Sequence, residues 1–295
     1  MKLSILIPCY NWDVLEFIRK IHKLCVDEKR ITQFEIICFE DASSKSYSNY
    51  LIKKLKHVKH LNLSENIGRS AIRNKLGEAS KYNWLLFIDC DSKIVNNNFI
   101  QEYINATEQK GSLETVFYGS TMYEKKNNDI TKTLHHKYGS QIETKRKLKI
   151  FSSHHFLIHK SKFGENKFDE TIKTYGYEDT LFSISSNLKF KYINNPLIHT
   201  GLKTNTVFLE DTQKAIYNLT NYTNQIKTIK YIKVLKWGRI IEKLKISKII
   251  LIIFNIMESK IVENLKSESP KIILFQLYKL GLLIKLKSKK LKKIQ

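Results

Sequence analysis

The sequence predicts an α/β fold: a mostly parallel central sheet flanked by helices, followed by a helical, basic C-terminal extension. Three observations carry this. Apolar runs without alternation, such as Trp84–Ile88 (WLLFI), read as strands buried on both faces, which belong to parallel sheets. Such runs alternate with helical periodicity through the first ninety or so residues. From Val207 onward the apolar positions recur at helical spacing among lysines.

Taken in order, 3–7 forms the first strand, which Pro8 is expected to stop by removing a ladder donor. Asp13 then caps a helix with Leu15, Ile18, His22 and Cys25 on one side. Residues 34–39 make the second strand, which runs into Glu40-Asp41-Ala42-Ser43-Ser44. A helix through Leu51, Ile52 and Leu55 leads to a short strand at 60–63. Asn66-Ile67-Gly68 turns into a helix over 69–80, and Trp84–Ile88 completes a βαβαβαβ series. Further along, 116–121 and 151–159 read as strands, and 125–149 as a polar, basic, mobile segment. Glu178-Asp179 opens a helix with Leu181, Ile184 and Leu188 on one side, and 208–222, 249–257 and 272–286 read as helical.

The chain of 295 residues, 42% hydrophobic and 27% charged, can bury a sizeable core. Its net charge of +23 calls for an anionic partner: nucleic acid, acidic lipid or a phosphorylated substrate. Residues 225–295 hold 18 Lys or Arg against 4 Glu, a net +14, so most of the excess sits in the tail. Nucleic acid is disfavoured, because aromatic residues are not interleaved with these lysines as stacking platforms. Cys9, Cys25, Cys38 and Cys90 show no paired metal spacing and read as reduced thiols of a cytosolic protein. The chain opens directly on a strand, so no cleaved leader is expected. No uncharged apolar stretch reaches the roughly 18–20 residues of a membrane span.

Parallel strands place their carboxyl ends on one edge, so the polar clusters 8–11, 40–44 and 89–91 should meet in one crevice. Tyr10 could stack on a flat base there, and Asn11 could hydrogen-bond to it. Asp41 could accept from a nucleobase N–H, and Arg73 could neutralise phosphate. Asp89 and Asp91 are hard oxygen donors suited to Mg²⁺ or Mn²⁺ carrying phosphate oxygens, although Asp-x-Asp alone reads more often as a solvated strand end. Glu178 and Asp179 by themselves read as acids complementing a helix N-terminus, and His199 as a packed histidine. His154 and His155, adjacent on a strand, would face opposite sides and read as structural.

Four segments, SILIPCYN (4–11), FEIICFEDASS (34–44), ENIGRSAIRNKLGEA (65–79) and WLLFIDCDS (84–92), resemble in order and spacing the nucleotide-sugar-binding half of family-2 glycosyltransferases. The resemblance implies the Rossmann-like GT-A fold over residues 1–205 or so. It further implies a nucleotide-sugar half at 1–122, an acceptor half at 123–205, and a helical extension at 206–295. By position it makes Pro8, Tyr10, Asn11 and Asp41 base contacts, Asp89 a ribose contact, Arg73 a neighbour of the pyrophosphate and Asp91 the metal ligand. Gly176-Tyr177-Glu178-Asp179 is similar to the family's Gly-x-Glu-Asp motif. That similarity implies Asp179 as general base and Glu178 as an acceptor contact. In similar enzymes a histidine after that helix completes the metal sphere, which implies His199, and imidazole suits Mn²⁺ better than Mg²⁺. Two positions depart from the pattern: Glu40 stands for the usual aspartate and Ala42 for the usual glycine.

The implied activity is metal-dependent, inverting transfer from a UDP-sugar to a hydroxyl of a glycan or lipid-linked acceptor. The lysine-, asparagine- and isoleucine-heavy composition suggests an AT-rich genome, hence a bacterial enzyme of envelope polysaccharide synthesis at the cytoplasmic face. Phe87–Asp91 also resembles the nucleophile motif of haloacid-dehalogenase-type phosphatases. That motif lies on the first strand of its domain, whereas three strands precede it here. A basic nucleic-acid-binding protein is the non-enzymatic alternative. In the tail, Ile273, Leu277, Leu280, Ile284 and Leu291 share one helical face. Lys271, Lys279, Lys285, Lys289 and Lys293 fall broadly opposite, with Lys287 an exception. Such a helix either lies on an anionic membrane or packs its stripe against protein.

Overall fold

A computed structural model describes residues 1–45, 47–144, 151–173, 175–222 and 232–292. Its central sheet is built around β1 (Lys2–Cys9), which pairs in parallel with β2 (Gln33–Glu40), from Lys2 opposite Gln33 to Cys9 opposite Glu40. β3 (Val58–Asn62) extends that side, and β4 (Trp84–Ile88) pairs in parallel on the other side of β1. Beyond β4 the order continues through β8 (His155–His159), β6 (Thr115–Tyr118) and β9 (Lys189–Tyr192). β8 runs antiparallel between β4 and β6, and the other six strands share one direction. A second sheet of β5 (Ser92–Ile94), β10 (Leu197–His199) and β7 (Thr121–Met122) carries β10 at its centre.

Both faces of the large sheet are covered, as its unbroken apolar strands require. Leu3, Ile5 and Ile7 share one core with Ile36, Cys38, Leu86 and Ile88. That core includes Ile18 and Ile21 of α1 (Leu15–Asp27) and Phe99 and Tyr103 of α3 (Phe99–Thr107). The intervening Leu6, Ile37, Leu85 and Phe87 belong to another core with Ile72 and Leu76 of α2 (Arg69–Ala79). Phe163 of α5 (Lys160–Glu165) and Phe182 of α6 (Glu178–Ser185) complete that second core. Each fully buried aliphatic chain contributes about 1.5–3 kcal/mol, so the two layers dominate the stability of the sheet.

The chain divides into two compact units. The first comprises Met1–Glu124, Glu143–Lys173 and Glu178–Gly201, and holds both sheets. The second comprises Lys125–Ile142, Thr174–Tyr177 and Leu202–Gln295. It contains α4 (Thr133–Tyr138), α7 (Asn205–Leu219), α8 (Lys233–Lys243), α9 (Ser247–Lys266) and α10 (Ile272–Lys292). Its own core joins Leu134, Phe208, Ile216, Leu265, Phe275 and Leu283. Thr204 caps α7 by accepting from the Val207 N–H, 3.4 Å away.

Several sequence expectations change here. Pro8 does not end β1: it pairs opposite Phe39, and the β4 ladder has already stopped at Leu6 opposite Phe87. A missing donor on that side therefore breaks no pair. Val14, not Asp13, is the N-cap of α1, and Asp13 accepts from the Leu15 N–H at 3.0 Å from one position earlier. The expected helix through Leu51 is a 3₁₀ helix (Ser48–Lys54). The expected strand at 116–121 divides into β6 and β7, which belong to different sheets, and that at 151–159 begins only at His155.

The segment expected to be mobile, 125–149, carries α4, whose Leu134 and Tyr138 are buried; 145–149 lies outside the described residues. On α10 the anticipated apolar stripe is mixed. Ile273 and Leu277 are exposed, Ile284 is buried, and the Leu291 side chain and Lys293 lie outside the description. Lys279, expected on the solvated side, is buried over the rings of Tyr138 and Phe275, 4.7 and 4.8 Å from their centroids.

Candidate active site

The carboxyl ends of β1, β2 and β4 lie side by side, and each turns into a loop rich in polar groups. After β1, Asn11 adopts a left-handed backbone (φ 51°) and locks onto the loop after β2. Its side-chain oxygen accepts from the Lys45 N–H at 2.9 Å and the Ser44 hydroxyl at 3.2 Å, and its own N–H donates to Ser43 Oγ at 2.9 Å. Ala42 is also left-handed (φ 53°), the conformation that glycine adopts without strain. Pro8 is partly exposed, and Tyr10 is 52% exposed with its ring free to stack.

Asp41 is buried and works within the protein. Its two carboxylate oxygens accept from the Ile67 and Gly68 N–H groups at 2.7 and 3.0 Å, fixing the turn that launches α2. Glu40 braces the same edge from beneath. It accepts from Asn49 Nδ2 at 3.0 Å and pairs with His60 Nε2 at 2.7 Å.

The acids after β4 diverge in environment. Asp89 Oδ1 accepts from Arg73 Nη2 at 2.7 Å, and the Arg73 side chain is only 2% exposed. The same guanidinium lies 4.0 Å from Glu178 Oε1, which is in turn 3.5 Å from Arg69 Nη1. Asp89, Arg73, Glu178 and Arg69 therefore form one charged chain from the sheet edge to the first turn of α6. Arg73 is its buried joint, and Arg69, with a side chain 45% exposed, is its accessible cation. The residue spacing pointed to Arg73, but only the fold distinguishes these two arginines four positions apart on one helix.

Asp91 faces His199, with Oδ2 3.1 Å from Nε2. The small sheet sets this contact: β10 pairs antiparallel with β5, placing His199 opposite Ser92. The Asp91 carbonyl also accepts from both the backbone and the hydroxyl of Thr200, each at 2.8 Å. Gly201 completes the cradle, because a Cβ there would come within 2.2 Å of Asp91 Oδ2. Nothing in the sequence spacing pointed to Gly201. Burial would raise the Asp91 carboxyl, but the His199 charge opposes it, aided by Arg69, and holds the acid well below the usual carboxylate range. Burial pulls His199 down, but Asp91 outweighs it and raises the imidazole.

His154 and His155 are both neutral. Burial and then the neighbouring His199 bring His154 down to about 4, and burial and then His154 bring His155 down to about 3. His155 contacts Tyr103 Oη at 2.6 Å and the Ser120 carbonyl at 3.2 Å. His154 contacts Ser92 Oγ at 2.9 Å and Thr121 Oγ1 at 3.0 Å, bracing the strand beside Asp91.

Asp179 stands in the first turn of α6, its Oδ1 accepting from the Thr180 N–H at 2.6 Å. Burial and then the adjacent Glu178 charge raise its carboxyl to about 6. An acid near neutrality can hold or release a proton at working pH. Among the described residues, no three His, Cys, Asp or Glu side chains are grouped to hold a metal unaided. Asp91 and His199 offer two donors side by side.

A mostly parallel sheet with these loops at its carboxyl edge, and a helical region after it, is the GT-A architecture of nucleotide-sugar glycosyltransferases. The sequence matches the Glycosyl transferase family 2 over residues 4–172, more than half of the chain, and the protein belongs to that family. Among solved structures, S. aureus TarS 1-349 in complex with UDP-GlcNAc is 14% identical. That match covers 99% of this chain and 92% of the other at a TM-score of 0.52. GalNAc-T7 with UDP, GalNAc and Mn²⁺ is 14% identical, covering 67% of this chain and 43% of the other at a TM-score of 0.50. A longer S. aureus TarS structure, 17% identical with a TM-score of 0.46, is covered over 40% of its length by 75% of this chain. At these identities the likeness is one of fold. No curated protein sequence matches the chain.

Proposed function

We propose that this glycosyltransferase moves a sugar from a UDP-sugar to a hydroxyl of a glycan or lipid-linked acceptor, with inversion. The observation that carries the reading is Asp179, raised to about 6 and joined through Glu178 and Arg73 to the acids at the sheet edge. In its deprotonated form Asp179 takes the proton of the acceptor hydroxyl as the oxygen attacks the anomeric carbon. The bond to the diphosphate breaks on the opposite face, which inverts the centre. Glu178, beside the base, supports the acceptor. Tyr10, Asn11 and Asp41 receive the base, with Pro8 shaping that loop, and Asp89 lies toward the ribose.

Arg69, the accessible cation of the charged chain, attends the diphosphate, and Arg73 acts from behind by holding Asp89 and Glu178. Asp91 and His199, an oxygen and an imidazole donor side by side, would hold a Mn²⁺ or Mg²⁺. Such an ion, when bound, neutralises charge on the leaving diphosphate. The basic composition and a lipid-linked acceptor suit an enzyme of bacterial envelope synthesis working at the cytoplasmic face. The UDP complexes of the similar folds favour uridine among the nucleotides.

The test is a thermal-shift titration with UDP, with and without Mn²⁺. Ligand that binds only the native state raises apparent stability by mass action. Stabilisation should require the metal and disappear in Asp91→Ala. Equal stabilisation of that variant would remove Asp91 from the site, and stabilisation by GDP but not UDP would overturn the donor assignment.

A further inference from the structure

α9 (Ser247–Lys266) is apolar on two sides. Phe254, Ile261 and Leu265 are buried in the core of the second unit. The other side presents Ile249, Ile252, Ile253, Ile256 and Met257, which are between 43% and 72% exposed. Their positions fall on a single stripe of the helix, and Lys260 continues its line. Lone surface isoleucines are ordinary, whereas five large apolar residues on one solvated stripe mark a contact surface. α10 runs antiparallel beside α9: the Lys271 N–H donates to Asn264 Oδ1, and Gly281 lies against Phe254. That register brings the exposed Leu277 level with Met257.

Charge selects the partner. Lys245, Lys248 and Lys260 are exposed around the stripe, and Glu263 lies almost one turn past Lys260. Residues 233–292 hold 15 Lys or Arg against 4 Glu, a net +11. Two of those glutamates, Glu242 and Glu258, are already paired with Lys287 and Lys285. A second copy of the chain would set like charge against like, whereas an anionic, apolar surface complements both features. No helix among the described residues is long and apolar enough to cross a membrane.

We propose that α9 lies flat on an anionic lipid surface. The isoleucine stripe enters the acyl boundary, and the flanking lysines meet lipid phosphates. This places the docking element on α9 rather than on the α10 stripe that the sequence suggested, and it does not depend on the sugar-transfer reading.

The experiment is flotation of the full-length protein with vesicles of equal parts phosphatidylglycerol and phosphatidylcholine, and with phosphatidylcholine alone. The protein should float with the anionic vesicles in low salt, less in high salt, and poorly with neutral ones. Ile252→Glu with Ile256→Glu should cut the bound fraction by about tenfold, because the stripe loses apolar area and gains repulsion. The milder pair Ile252→Ser and Ile256→Ser should show an intermediate loss. Melting temperature and UDP binding, followed in all three proteins, report on folding and on the nucleotide site separately. Equal flotation of the folded variants, or no flotation of the parent protein in low salt, would overturn the proposal. So would a dimer in sedimentation that the variants dissociate while flotation stays unchanged.

Discussion

Asp179 and Arg73 show how a single environment sets a residue's role. Asp179 is raised to about 6 by burial and Glu178, above its ordinary 3.8, so the folded state holds this proton more tightly than the unfolded chain. The stability it contributes is present below the unfolded value and is lost as pH rises through about 6. Asp179→Asn removes that cost and still accepts the Thr180 N–H. At pH 7 it should raise stability by on the order of 1 kcal/mol while lowering turnover by roughly 10²–10⁴-fold, with UDP affinity little changed. In the parent enzyme kcat/KM should climb with pH through about 6 and then level off, and the variant should lack that limb. Near-normal turnover of the variant would move the base elsewhere, to Glu178 first.

The two arginines of α2 should separate stability from binding. Arg73→Met leaves Asp89 and Glu178 without their shared buried cation and should cost about 3 kcal/mol in a denaturant melt. Arg69→Met, at a pair whose arginine is 45% exposed and whose acid is buried, should cost less than Arg73→Met yet weaken UDP binding.

At the scale of elements, the meeting of Asp91 and His199 depends on a three-residue strand. β10 reaches Asp91 because it pairs with β5, and Gly201 follows it with space for the carboxylate but for no side chain. Gly201→Ala should therefore displace Asp91 and weaken Mn²⁺-dependent UDP binding by about tenfold or more, in the range of outer-shell metal-site substitutions. Calorimetry with UDP alone and with UDP plus Mn²⁺ distinguishes this from general unfolding, since metal-independent binding should change less. If both fall equally, the glycine serves the fold rather than the carboxylate. The antiparallel β8 is a further case. It brings His154 to the same edge, where its carbonyl accepts from the Asp89 N–H at 2.9 Å and so fixes the start of the acidic loop.

Across the whole molecule the charge is unevenly distributed. The net +11 of residues 233–292 is carried by a helical unit with its own core, whereas the acids of the site belong to the sheet unit. Self-repulsion among the lysines should destabilise the helices at low ionic strength, where the Debye length of about 30 Å at 0.01 M spans a small domain. Raising salt to about 0.3 M should lift the melting temperature of the free protein by a few degrees, read by calorimetry in the absence of nucleotide. A fall instead would mean that pairs such as Lys285–Glu258 and Lys287–Glu242 outweigh the repulsion.

The sequence alone determined the order of strands and helices up to Ile88 and the α/β class. Buried parallel strands must be apolar on both faces, and that pattern survives without any tertiary information. It also singled out Tyr10, Asp41, Asp89 and Asp91, because polar residues at strand ends stand out against apolar runs, whereas Glu178, Asp179 and His199 stood out only through the family resemblance. Tertiary structure alone decided which of these residues meet and which face solvent. Whether Arg69 or Arg73 faces solvent depends on how α2 packs against Phe168 and the sheet, which helical spacing does not specify. Pro8 stays within β1 because the neighbouring ladder has already ended, and Gly201 matters because a distant carboxylate comes to rest against it. The apolar positions of α9 and α10 have the same helical periodicity in the sequence. Only packing separates the side that fills a core from the side left to solvent, since burial is a property of neighbours brought together from distant parts of the chain.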